Sequence, residues 1–186
     1  MADPARRRAT YEDVLASPPH VVAEVLFGTL YQSPRPAAPH AIASSAVGEE
    51  LGPPFKRGRG GPGGWMILDE PEIHLGEHIV VPDLGGWRRE RLPEVPDAAY
   101  LELAPDWVCE VLSPSTRALD RGAKLRVYAE FKVGFAWFVE PLEKLVEVLE
   151  LDGATYRIVQ TAEGDAPARL RPFDAIEFPV AALWMR

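Results

Sequence analysis

At 186 residues, 47% of them hydrophobic and 26% charged, the chain can bury a core of its own and needs no staple to fold. Its single cysteine, Cys109, excludes an internal disulfide and any cysteine-based zinc site. A formal net charge of -8 argues against a broad electrostatic grip on nucleic acid and leaves local basic clusters to meet phosphate. These are Lys56, Arg57 and Arg59; Arg88, Arg89 and Arg91; and Arg117, Arg121, Lys124 and Arg126. Their plainest reading is solvated surface charge. No apolar run is long enough for a bilayer, and no hydrophobic segment follows Arg6-Arg7-Arg8. A cytoplasmic protein without membrane contact is expected.

In chain order, Thr10 with Asp13 three residues on signals a short helix near Thr10 to Ala16, stopped by Pro18-Pro19. His20 to Leu26 and Thr29 to Gln32 read as a hairpin turning at Phe27-Gly28. Ala37 to Leu51 reads as a helix of small residues ended by Gly52-Pro53-Pro54. Lys56 to Gly64 is a basic, glycine-rich loop without the Gly-Lys-Ser/Thr ending of a phosphate-binding loop. Strands are expected at Trp65 to Leu68, Glu72 to Leu75 and Ile79 to Val81, with a loop from Gly85-Gly86. Trp107 to Leu112 reads as a buried strand interrupted by Glu110. A helix follows, from the Ser113 to Thr116 cap to about Lys132, closed by Gly134. Phe135 to Val139, Lys144 to Leu151 and Thr155 to Gln160 complete the strands, the last two around Asp152-Gly153. Ala175 to Trp184 is expected as a short edge element. The order predicts one α/β domain over 1–186, core about 11–160, with a mixed sheet flanked by helices.

Chemistry concentrates between Val80 and Tyr128. Glu110 stands inside an apolar strand, where an unpaired carboxylate is costly and needs a partner or a metal. Asp83 ends another apolar strand. Two strand-borne carboxylates side by side repel, and a divalent cation relieves that. Oxygen ligands suit Mg2+ or Mn2+ better than zinc. Lys124, on the helix after the Glu110 strand, is placed to stabilise charge on a phosphate or to position water. Each residue also has a plainer reading. Asp83 after Pro82 can be a turn residue, Glu110 can sit in a buried salt bridge, and Lys124 can pair with Asp120 along the helix. Asp120 reads as part of the helix start.

The run Glu110-Val111-Leu112-Ser113-Pro114-Ser115-Thr116, with Asp120-Arg121 and Lys124 after it and Pro82-Asp83 before it, resembles the Uma-type restriction endonuclease family of the PD-(D/E)XK superfamily. The likeness runs from about Tyr11 to Gln160. It implies a restriction-endonuclease-like core and a metal-dependent phosphodiesterase site with Asp83 and Glu110 as the acids. The superfamily lysine two residues after the glutamate is replaced here by Leu112, and the Uma-type pattern puts a lysine on the next helix, which is Lys124. An additional acid from an early element matches Glu24, which otherwise reads as a solvent-facing strand residue.

His74-Leu75-Gly76-Glu77-His78 fits a zinc-hydrolase pattern only on a helix, and this segment alternates like a strand. His40, near the start of a helix, has a phosphate contact as its functional reading and an ordinary surface or core histidine as its plainer one, and Cys109 reads as a small core residue facing away from Glu110. Two functions are therefore expected in competition. One is a Mg2+- or Mn2+-dependent endonuclease acting on DNA, for which a symmetric homodimer would suit double-strand cleavage. The other is a catalytically inactive module that keeps the nuclease fold for binding.

Overall fold

The computed structural model describes residues 7–185; the rest, including Arg6 of the basic triplet, lie outside it. Helix α1 (Tyr11–Leu15) carries the expected capping box between Thr10 and Asp13. Strands β1 (Val21–Leu26) and β2 (Thr29–Pro34) form the expected hairpin. Phe27 and Gly28 both take positive φ, at 51° and 73°, the turn whose twist matches the flanking strands. Helix α2 (Ala38–Leu51) buries Ala43, Ala46, Val47 and Leu51 at helical spacing. Gly52-Pro53-Pro54 does not end it sharply, because a π-helical turn over Gly52–Lys56 extends the chain and buries Pro54 and Phe55.

Strands β3 (Trp65–Asp69), β4 (Ile73–Leu75) and β5 (His78–Val80) lie where expected. Leu84–Arg88, expected to be a loop from its glycine pair, is instead strand β6. Space explains the glycines: a Cβ at Gly86 would come within 2.9 Å of the Trp107 ring, and one at Gly85 within 2.8 Å of the Trp87 ring. The strand gives up side chains at two positions so that indole rings can close over its backbone. Strand β7 (Trp107–Val111) is buried throughout. Next come α3 (Arg117–Leu119), a π-helical turn (Asp120–Lys124) and α4 (Leu125–Glu130). Lys132, at φ 61°, makes the left-handed turn expected of Gly134. Strands β8 (Phe135–Glu140), β9 (Leu145–Asp152) and β10 (Thr155–Glu163) follow. The tail forms a bridge between Ala168 and Phe178 and a 3-10 turn over Val180–Trp184, in place of an edge strand.

The strands make two sheets, ordered β2-β1-β5-β4 and β10-β9-β8-β7-β6-β3. All pairings are antiparallel except β7 with β8, which the α3–α4 helical segment connects as a crossover. The expected mixed α/β architecture is what is observed. Alternation along β7 divides the core. Trp107, Cys109 and Val111 pack with α2 residues and Phe173, whereas Val108 packs with Val127 and Tyr128 of α4. Glu110 therefore faces the crossover helix. Val81-Pro82-Asp83 carries the chain from one sheet to the other, between β5 and β6. Among the described residues, no helix is long and apolar enough to cross a membrane.

Candidate functional site

The inter-sheet segment draws the acidic residues together through backbone groups that would otherwise be unpaired. The Val81 amide donates to Glu24 Oε1 of β1 at 2.8 Å, and the Val111 amide of β7 donates to Asp83 Oδ2 at 2.7 Å. Pro82 has no amide to satisfy. The Lys124 ammonium donates to the Val81 carbonyl at 3.1 Å and to Glu110 at 2.9 Å. It also lies 3.2 Å from Glu24 Oε1 and 3.6 Å from Asp120 Oδ1. Tyr128 Oη donates to Glu110 Oε1 at 2.5 Å. Glu24, Asp83, Glu110, Asp120 and Lys124 line one cavity of about 310 Å³, with hydroxyl-bearing Ser113, Ser115 and Thr116 at the end of β7.

All four sequence-predicted residues, Glu24, Asp83, Glu110 and Lys124, thus meet at one place. Three more were not assigned to a site. Asp120 is buried against Lys124, so the plain i,i+4 pair exists, but within the cluster and on a π-helical turn. Such turns often occur at functional sites. Tyr128, one turn beyond Lys124, is fully buried with its hydroxyl on Glu110. The sequence offered a signal in the spacing of Asp120, Lys124 and Tyr128, which places all three on one helix face. His40 Nε2 lies 3.2 Å from Asp83 Oδ1, while His40 Nδ1 is buried with no partner among the described residues. Its place near the start of a helix was the one local signal, and it did not point to Asp83. The His74–His78 pattern is split across the β4–β5 hairpin: His74 stacks on Tyr100 at 3.6 Å, and His78 receives the Phe27 amide at 3.1 Å.

Charge in the cavity is unbalanced. Burial pushes the Glu110 carboxyl well above the usual carboxylate range; Lys124 opposes this, while Asp120, Asp83 and Glu24 reinforce it. Burial also raises Asp120, against the pull of Lys124 and a hydrogen bond from Thr116. Burial works against the Lys124 ammonium, but Glu110, Glu24 and Asp120 outweigh it and hold its proton well above the ordinary lysine range. Burial also opposes protonation of His40, and Asp83 more than offsets that. Burial is the first cause in each case, and around the cavity five carboxylates, Glu24, Glu70, Asp83, Glu110 and Asp120, face Lys124 and Arg35, an excess that favours added positive charge.

A divalent cation is one way to supply it. Among the described residues, no group of three or more His, Cys, Asp or Glu is arranged to enclose a metal ion. Mg2+ does not require such a cage, since it keeps several waters and is usually held by one or two carboxylates plus substrate phosphate. Asp83 and Glu110 both line the cavity and are of that donor type, with Val111 N–H and His40 now on Asp83 and Lys124 and Tyr128 on Glu110.

The family model described as "Putative restriction endonuclease" (Uma2) matches residues 8–181, nearly the whole chain. A crystal structure of "a putative nuclease belonging to DUF820" from Anabaena variabilis ATCC 29413 is similar, with a TM-score of 0.69 and 22% identity. The likeness covers 95% of this chain and 97% of that one, and at this identity it shows a shared fold. No curated protein matches the chain.

Proposed function

The chain belongs to the Uma2 family, and we propose that it is a metal-dependent endonuclease that hydrolyses DNA phosphodiester bonds. The observation that carries this reading is the convergence of Asp83, Glu110 and Lys124 on one cavity, where carboxylates outnumber the basic side chains Lys124 and Arg35. Asp83 and Glu110 would hold Mg2+ or Mn2+, which when bound polarises a phosphodiester and activates water.

The remaining residues set the geometry. Val111 N–H and His40 fix the two oxygens of Asp83. Tyr128 orients Glu110 from the helix side. Lys124, steered by Glu24, Asp120 and the Val81 carbonyl, stabilises negative charge that develops on the phosphate. Ser113, Ser115 and Thr116 offer hydroxyl donors to phosphate oxygens at the cavity mouth.

One observation favours the second reading, a fold kept for binding without catalysis. Glu110 is held by both Lys124 and Tyr128, a closed arrangement that also serves as a purely structural ion pair. Incubation of purified protein with supercoiled and single-stranded DNA, in Mg2+, Mn2+ or EDTA, separates the two. The nuclease reading expects nicking or cutting that requires metal and disappears in Glu110→Ala. Folded wild-type protein that neither cleaves nor binds metal under any condition would leave only the second reading.

A further inference from the structure

We infer that the nucleic-acid strand leaves the active site along helix α2 and that Arg57 holds one of its phosphates several nucleotides away; this rests on the nuclease reading. A second cavity, of about 710 Å³, adjoins the catalytic one, and Pro36, His40 and Glu70 line both. From His40 it follows one face of α2, past Ser44 and Ser45, to Gly52 and Arg57. A 14-residue helix spans about 21 Å, or about six nucleotide steps at B-form rise.

Among the described residues, two arginines line these cavities without an ion pair: Arg35 at the catalytic one and Arg57 at the second. Arg88 lies over the Trp65 ring, and Arg89 reaches the Lys56 and Trp65 carbonyls. Arg91 binds Asp106, Arg117 and Arg121 bind Glu140, and Arg126 covers Phe27. Among the described residues, Arg57 and Arg59 make no ion pair, both are exposed, and Arg57 lines the second cavity. The glycine-rich loop thus presents free guanidinium groups at the far end of a channel that begins at the catalytic carboxylates. Glu49 and Asp69 also line that channel and keep phosphates out of its middle, while Glu70 stands at its junction with the catalytic cavity. The backbone is therefore gripped at the two ends, at the catalytic cavity and at Arg57. Between them, Ser44, Ser45 and the carboxylates face the sugars and base edges, for which they are suitable partners.

The test is DNA binding by fluorescence anisotropy in Ca2+, with single strands of about three and about twelve nucleotides. Wild-type protein is compared with Arg57→Ala and Gly52→Leu. Gly52 has helical φ and ψ of -59° and -56°, and a Cβ there meets nothing within 4 Å, so the backbone admits a side chain at this point of the channel lining. Arg57→Ala is expected to weaken the long strand about tenfold, lower its salt slope by about 1, and leave the short strand unchanged. Gly52→Leu is expected to give the same length-dependent loss. Unchanged long-strand affinity in both variants, or equal loss on both lengths, overturns the inference while the nuclease reading stands. Wild-type protein that binds neither strand overturns both.

Discussion

The crossover helical segment carries two ion networks within two turns, and they differ in their charge balance. Arg117 and Arg121 reach Glu140 at the end of β8, and Arg121 also reaches Glu147 on β9, two cations against two anions. Lys124, one turn on, is a single buried cation among Glu110, Glu24 and Asp120, with Asp83 close behind. The first network is closed and partly solvated, with Arg121 29% exposed. The second has Lys124 and each of its ion-pair partners at 5% exposure or less and still lacks positive charge. A balanced network has reached its stable form and acts as a brace. An unbalanced one is stable only in part, and the proposed reading has a cation fill its deficit.

The sharpest way to break this contrast is to remove the lysine. Lys124→Met keeps the volume of the stem and leaves Glu110, Glu24 and Asp120 facing one another in a dry cavity. Loss of one partner from a buried ionic cluster costs about 3–5 kcal/mol. Urea unfolding without metal should show a loss of that size, and DNA cleavage should disappear. Mn2+ should restore part of the lost stability, because a ligand bound only to the folded state stabilises it. A loss below about 1 kcal/mol would show that the carboxylates simply take up protons, and that Lys124 is a spectator.

Much of this was legible in the sequence, and the exceptions have physical causes. Glu110 stood out because a carboxylate inside an apolar strand demands an explanation, and Asp83 because it ends the segment that begins as β5. Lys124 was readable from its place on the helix after the Glu110 strand, whereas Glu24 depended on resemblance, since the proximity of residues far apart in the chain is not a local property. Strand β6 was missed because Gly85-Gly86 reads as a turn unless one knows that Trp87 and Trp107 occupy the missing side-chain space. The π-helical turns were invisible for a related reason: Gly52-Pro53-Pro54 and Asp120–Lys124 look like a helix stop and a helix start. His40 lies on a helix of small residues and gains meaning only when α2 docks beside Asp83.

That histidine gives the next prediction. Asp83 receives Val111 N–H on one oxygen and faces His40 Nε2 on the other, so its orientation is fixed from two sides. Removal of such an orienting partner typically costs 10- to 100-fold in metal affinity. His40→Ala should therefore weaken Mn2+ binding, measured by calorimetry, by about tenfold or more. His40→Gln, whose amide nitrogen can occupy the place of Nε2, should recover most of it. Equal weakening in both variants would mean that the ring acts by packing, and that Asp83 is oriented by the Val111 amide alone.

The smallest effect is expected at the brace. Arg121→Met removes the guanidinium that spans Glu140 and Glu147 but leaves Arg117 on Glu140. Glu147 is 12% exposed and can regain some water, so the expected loss is about 1 kcal/mol. Arg121 also lies over the Phe138 ring, and methionine keeps part of that packing. Cleavage rate and Mn2+ affinity should stay within about twofold of wild type, because no group in the Lys124 cluster loses a partner. A tenfold loss of metal affinity here would mean that the two networks act as one unit along the helix. The π-helical turn between Arg121 and Lys124 would then be the element that couples them.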